Sequence, residues 1–202
     1  MWALVEDNAI VKIINQPKGM IIGDTRHSRK IFSLWSVAEK EAKGIYEVVF
    51  DNINKKDEAY YNNTNQSFDF ADGVATASYG TATAKALADA NGTDEAGEEL
   101  DPVVVIEGLK TQHKRIIKQQ SSGLLIPTDW YVIKATEVES YSAPSAITTY
   151  RANVRTKSND MEVLIDACST VDELATLYEY VNTGTEENPV MERPLGEFPE
   201  AV

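Results

Sequence analysis

The sequence predicts an α+β fold: a small antiparallel β-rich N-terminal domain with one short helix, then a linker, then a helical C-terminal module. Three observations carry this prediction. Short β-prone runs separated by turn pairs fill residues 1–80, the composition turns to Ala, Thr, Gly, Asp and Glu over 81–102, and apolar residues recur at helical spacing over 103–182. Residues 183–202 hold Pro189, Pro194 and Pro199 and read as an extended tail that needs a partner surface to be ordered. With 202 residues, 43% of them hydrophobic, the chain can build a real core in one ordinary domain or two small ones.

In the first block, Trp2–Val5 and Ile10–Ile14 flank the turn pair Asp7-Asn8, which is a hairpin signal. Ser36 and Glu39 have capping-box spacing and Gly44 follows, so a short helix is expected over Ser36–Lys43, with a strand over Ile45–Phe50 after it. Phe68–Phe70, Asp72-Gly73 and Val74–Tyr79 form the clearest hairpin, because Asp-Gly supplies the positive φ angles of a tight turn. Asp69 and Asp72 lack the spacing and terminal Glu of a calcium loop, so they read as turn residues. The linker can form an Ala-rich helical turn over Thr81–Ala90, and the polar stretch Asn91–Asp101 is expected to be mobile.

The second half reads as helices. A helix over Val104–Leu124 would place Ile106, Leu109, His113, Ile116, Ile117 and Leu124 near one face, with Lys110, Lys114, Arg115 and Lys118 outside. Thr128 or Asp129 can cap the next helix, where Trp130 and Ile133 would face the first one. A buried Trp dominates the contacts it makes, so Trp130→Ala is expected to cost about 3 to 5 kcal/mol and unfold the module. Ser142 and Pro144 mark a third start, with Ile147, Tyr150 and Val154 facing the core and Arg151 and Arg155 on an adjoining face. The arginines could pair with Asp129, Glu137 or the acidic C-terminal block. Ser158 opens a segment with Met161, Leu164, Ile165 and Cys168; Ser169–Asp172 starts a last helix carrying Leu174, Leu177, Tyr178 and Val181, ending near Asn182.

The net charge of −13 is unevenly distributed. Residues 1–85 carry ten basic and eleven acidic side chains, and 86–107 carry seven acids and no base. Residues 108–157 carry eight bases against three acids, and 158–202 carry Arg193 against eleven acids. The one basic block is flanked by acidic ones, which argues against a nucleic-acid partner. No segment approaches the roughly 20 apolar residues of a membrane span, and no basic region leads into an apolar run at Met1, so a soluble chain made in a cytoplasm is expected. The Asn62, Asn65 and Asn91 sequons then carry no glycan, and the lone Cys168 makes no internal disulfide.

The sequence holds no phosphate loop, nucleophile elbow or metal-spaced His and carboxylate set, so no catalytic residue, cofactor or metal ligand is assigned and the expectation is a protein that is not an enzyme. His27 reads as a loop residue, His113 as a half-buried packing residue and Cys168 as a small hydrophobe. The Tyr60-Tyr61 and Asn62–Asn65 cluster suits a glycan or a host receptor, and equally a solvated turn.

Thr128-Asp129-Trp130 after a leucine-bearing helix, then Tyr150-Arg151 with Arg155, resembles the helical C-terminal segment of tailed-bacteriophage tail fibre assembly or tail assembly chaperone-like proteins. Trp2-Ala3, the hairpin, the Ile31–Trp35 run and the Asp72-Gly73 turn are similar to the front half of the same proteins, so the likeness spans about two thirds of the chain. The resemblance implies a non-enzymatic structural protein of the virion tail, fibre- or baseplate-associated, synthesised in the host cytoplasm and held in several copies or as a homo-oligomer. The alternative is an assembly chaperone not retained in the virion; this chain's ending is longer than the family's usual one, which departs from the chaperone pattern. The interaction or packing residues expected are Trp35, Trp130, Tyr131, Tyr150, Arg151 and Arg155.

Overall fold

The computed structural model describes residues 1–202, which divide into two compact units, Met1–Thr83 and Ala84–Val202. The fold is α+β, with strands gathered in the first unit and long helices in the second.

The first unit is built on a five-stranded sheet in the order β2-β1-β5-β8-β7. Its strands are β1 (Trp2–Glu6), β2 (Ala9–Ile14), β5 (Ile45–Asp51), β7 (Gln66–Ala71) and β8 (Val74–Tyr79). The remaining elements are the short pair β3 (Met20–Ile22) and β4 (Thr25–His27), the bridging segment β6 (Tyr61–Asn62), and two helical turns, α1 (Ile31–Leu34) and α2 (Val37–Glu41). A further two-residue strand, β9 (Thr83–Ala84), lies at the border between the units.

Both expected hairpins form. Asp7 and Asn8 sit at φ 49° and 63°, and Asp72 and Gly73 at 51° and 78°, the left-handed pairs that bring right-twisted strands back antiparallel. The sheet is mixed rather than wholly antiparallel, because β5 pairs parallel to β8, Val48 opposite Ala75. The chain passes β5, lays β7 at the edge and returns β8 into the gap, so β8 must run in the direction of β5.

Strand alternation sends side chains to both faces, and both are covered. Leu4, Ile14, Met20, Ile31, Phe32 and Ile45 form one cluster, flanked by Trp2, Ile22 and Trp35. Ala3, Val5, Val48, Ala75 and Ala77 form the other, flanked by Tyr46, Phe68 and Phe70. Ser36 closes the expected capping box with Glu39, whose carboxylate accepts the Ser36 amide at 2.7 Å. That backbone hydrogen bond, then the Ser36 hydroxyl, holds the Glu39 carboxyl below its usual range. Gly44 turns the chain into β5 at φ 73°, and a Cβ there would lie 2.4 Å from the Val5 carbonyl oxygen. No larger residue fits.

The second unit starts with a β pairing where a mobile linker is expected. Strands β10 (Ala90–Asn91) and β11 (Val105–Ile106) pair antiparallel, the Gly92 amide donates to the Val104 carbonyl at 2.7 Å, and no helical turn forms over 81–90. The first long helix, α3, therefore runs over Leu109–Leu125 and not from Val104. Its N-cap Gly108 fits against Ala88, whose carbonyl a Cβ would meet at 2.4 Å.

A 3₁₀ turn over Ile126–Thr128 leads into α4 (Asp129–Glu137). Helix α5 runs unbroken over Ser145–Ala167, so Ser158 is a buried mid-helix residue and opens no new segment. Ile147, Tyr150, Val154, Met161 and Ile165 form its buried stripe against α3. Lysines expected on the outside of α3 line this seam: Lys110 Nζ donates to the Asp166 carbonyl at 2.8 Å, Lys114 pairs with the Asp166 carboxylate at 2.7 Å, and Lys118 with Glu162 at 3.1 Å.

Helix α6 (Val171–Thr176) opens with a Thr170–Glu173 capping box and is shorter than expected, since Val181 lies in β12 (Val181–Asn182), paired with β13 (Met191–Glu192). The segment expected as an extended tail folds back on its own module. Leu195 is fully buried, and its amide donates to the Leu177 carbonyl at 3.0 Å.

Candidate functional site

The tightest polar arrangement in the second unit surrounds Arg151. Helix α3 ends at Leu125 with carbonyls that have no helical partner, and the 3₁₀ turn adds the Thr128 hydroxyl beside them. Position 151 on α5 brings a guanidinium to this point. Its Nη1 donates to the Leu125 carbonyl at 2.9 Å and to the Thr128 hydroxyl, and its Nη2 reaches the Asp129 carboxylate at 2.8 Å. The Tyr150 hydroxyl, from the neighbouring position, donates to the Leu124 carbonyl at 3.4 Å. A planar fork with several donors suits one carboxylate and two oxygens in fixed directions, and lysine could not supply that geometry.

This arrangement gives Thr128 and Asp129 a role other than helix capping. The Thr128 side chain makes no cap hydrogen bond to α4, because its hydroxyl donates back to Leu125 and accepts from Arg151. Asp129 turns its carboxylate to Arg151. Arg155, one turn further on, is exposed, and its only polar contact is to the Arg151 carbonyl at 3.4 Å. Thr128, Asp129, Tyr150 and Arg151 thus come together, while Arg155 stays apart.

Trp130 is not a core anchor. It is 49% exposed, and no residue of α4 is buried. Ile126, Trp130 and Ile133 follow at the i, i+4, i+7 spacing of one helical face, and all three are solvent-exposed, as are Val132 and Val138. Tyr131 lies against Trp130 with ring centroids 3.7 Å apart, and the Lys134 ammonium sits 4.4 Å over the Tyr141 ring and 5.9 Å from the Trp130 ring. A rigid apolar stripe with an adjacent cation is a surface suited to another protein. Trp35, by contrast, packs on the first unit's cluster, edge-on to His27 at 5.1 Å.

Two other titratable groups of the second unit are shifted by burial. His113 Nδ1 lies 2.8 Å from the Tyr178 hydroxyl, and burial lowers its pKa. Burial, and then the nearby Glu173, raises the Cys168 thiol, whose S–H donates to the Leu164 carbonyl. No three His, Cys, Asp or Glu side chains are grouped to hold a metal ion, and no helix is long and apolar enough to cross a membrane. Comparison with known proteins gives no match to a family model, to a curated protein or to a solved structure.

Sequence reasoning missed Ile126 as a member of the exposed face. The signal was present in the spacing, since Ile126 precedes Trp130 by four residues and Ile133 follows it by three.

Proposed function

We propose that the chain is a non-enzymatic structural protein of a bacteriophage virion tail, at the fibre or baseplate, which works by protein–protein interaction and is present in several copies. The observation that carries an interaction role is the exposed Ile126–Trp130–Ile133 face of α4, held in place by the buried Arg151. Covering three half-exposed apolar side chains would contribute on the order of 3 kcal/mol before the costs of association, which is enough to matter within a multivalent assembly. The tail setting rests on the resemblance of Thr128–Trp130 and Tyr150–Arg155 to tail assembly proteins. Mass spectrometry of density-banded particles tests it: peptides of this chain at stoichiometric level are expected, and their absence overturns virion residence.

A second reading, an assembly chaperone that leaves the particle, is favoured by one feature. Leu195 docks on its own module, so no extended arm remains from that segment to lie along a neighbour, and the α4 face is left as a reversible grip. Co-expression with the adjacent fibre gene distinguishes the two. Fibre that is soluble only when this chain is present, together with its absence from particles, identifies the chaperone.

A further inference from the structure

Four consecutive β-branched residues, Val103, Val104, Val105 and Ile106, are between 50% and 60% exposed. Alternate side chains of a strand point to opposite faces, so neither face of this strand is covered. One edge is occupied by β10, with Asn91 opposite Val105 and the Gly92 amide on the Val104 carbonyl. In an antiparallel ladder the residues between hydrogen-bonded pairs direct their backbone groups away from the partner strand. Val105, which lies between the Gly92–Val104 and Ala90–Ile106 positions, therefore presents its amide and carbonyl on the outer edge of β11. Natural edge strands are blunted by Lys, Pro or a bulge, and residues 103–106 contain none of these.

We propose that this edge is a docking site for an extended, basic and apolar strand of another protein, which adds beside β11. The charge around it selects the occupant. Asp94, Glu95, Glu98, Glu99 and Asp101 precede the strand in the chain and none of them is in an ion pair, whereas Glu107 after it is matched by Arg115 at 3.1 Å. Residues 86–107 carry seven acids and no base. A second copy would bring the same five unpaired acids and is repelled, whereas a strand alternating Lys or Arg with Val or Ile pairs its backbone, covers one apolar face and offsets those acids. This surface is separate from α4 and does not depend on the tail reading.

The probe is a labelled ten-residue peptide alternating Lys and Val, titrated against the full chain by fluorescence anisotropy. Saturable binding is expected, weakened about tenfold when salt rises from about 50 to about 500 mM, because the charge term is screened. A peptide of equal charge with proline at its centre, and one alternating Glu and Val, are expected to bind at least about tenfold more weakly. The double variant Val103→Lys with Val105→Lys is expected to lose the interaction. In the unaltered chain, amide exchange at 103–106 is expected to slow on adding the Lys–Val peptide, a readout that needs no variant. Equal binding of the proline peptide, equal binding of the Glu–Val peptide, or no change in amide exchange would overturn the proposal. Self-association of the chain that the double variant abolishes would also overturn it, by making a second copy the occupant.

Discussion

Arg151 carries a full charge into a site where 9% of its side chain is exposed, and three oxygens from the α3–α4 junction meet it there. Its partner Asp129 is about half exposed, so the pair is not sealed from water and removing the arginine leaves a carboxylate that can be solvated. We expect Arg151→Ala to cost about 2 to 4 kcal/mol, mostly through charge-assisted hydrogen bonds lost at the half-buried Leu125 carbonyl and the buried Thr128 hydroxyl. Arg155→Ala should cost under about 0.5 kcal/mol, as an exposed side chain with one long contact. Urea denaturation of both variants checks the contrast.

His113 supplies a pH dependence at the same scale. Unfolded, its imidazole titrates near about 6.5, and in the folded chain burial lowers that value. Between the two values the unfolded state binds more protons. Stability is therefore complete above about pH 6.5 and is lost as pH falls toward the folded value. His113→Gln, which can keep a hydrogen bond to Tyr178, should flatten the stability curve over this window; a slope equal to that of the unaltered chain would show that another group is responsible. Tyr150 was legible as a core residue, and Asp129 only as one of three candidate partners for the arginines, beside Glu137 and the acidic C-terminal block. That the arginine is buried was not legible, because the spacing of α5 alone does not show which carbonyls α3 leaves at its end.

Helix α4 is nine residues long and buries none of them, so packing does not hold it as it holds α5. Its position comes from its start, where the 3₁₀ turn and Asp129 are fixed by Arg151. Trp130→Ala should accordingly change stability by no more than about 1 kcal/mol, well short of the loss expected for a buried Trp, while weakening binding of the protein partner proposed for this face. A thermal melt beside a binding assay separates these effects.

The hairpins and the Ser36–Glu39 capping box were legible because each depends on a few adjacent residues, Asp-Asn, Asp-Gly or Ser-x-x-Glu, whereas the Thr170–Glu173 box was not read in advance. Helical spacing places a helix start at Val104, but the β-branched run Val103–Ile106 disfavours one and Gly108 marks the true boundary. Ser158 was misread as a start because its burial on α5 comes from tertiary packing, which a local capping rule does not contain.

At the scale of the whole chain, the α+β division and the gathering of strands in the first unit could be read from composition and period. The parallel β5–β8 pair could not, since it depends on where a returning strand is inserted. The uneven charge also proved to be structural. Bases of α3 and acids of α5 face each other along the seam through Lys114–Asp166 and Lys118–Glu162, exposed enough to orient the helices more than to stabilise them.

The C-terminal segment was expected to seek a neighbour because its prolines break regular structure. Leu195 instead enters its own module, with Arg193 5.9 Å from the Tyr178 ring and 5.7 Å from the Tyr180 ring, and 2.7 Å from Glu197. Leu195→Ala should cost about 2 to 5 kcal/mol and lower the melting temperature of the second unit, which calorimetry would detect.

The docking of Leu195 has a consequence in time. During synthesis Leu177 is joined first, and Leu195 follows eighteen residues later (195 − 177). At roughly 5 to 20 residues per second that interval lasts about one to four seconds, far longer than a helix takes to form. For those seconds the Leu177 carbonyl has no Leu195 amide to accept, so a nascent chain stalled in this interval lacks the contact that joins its last segment to the module.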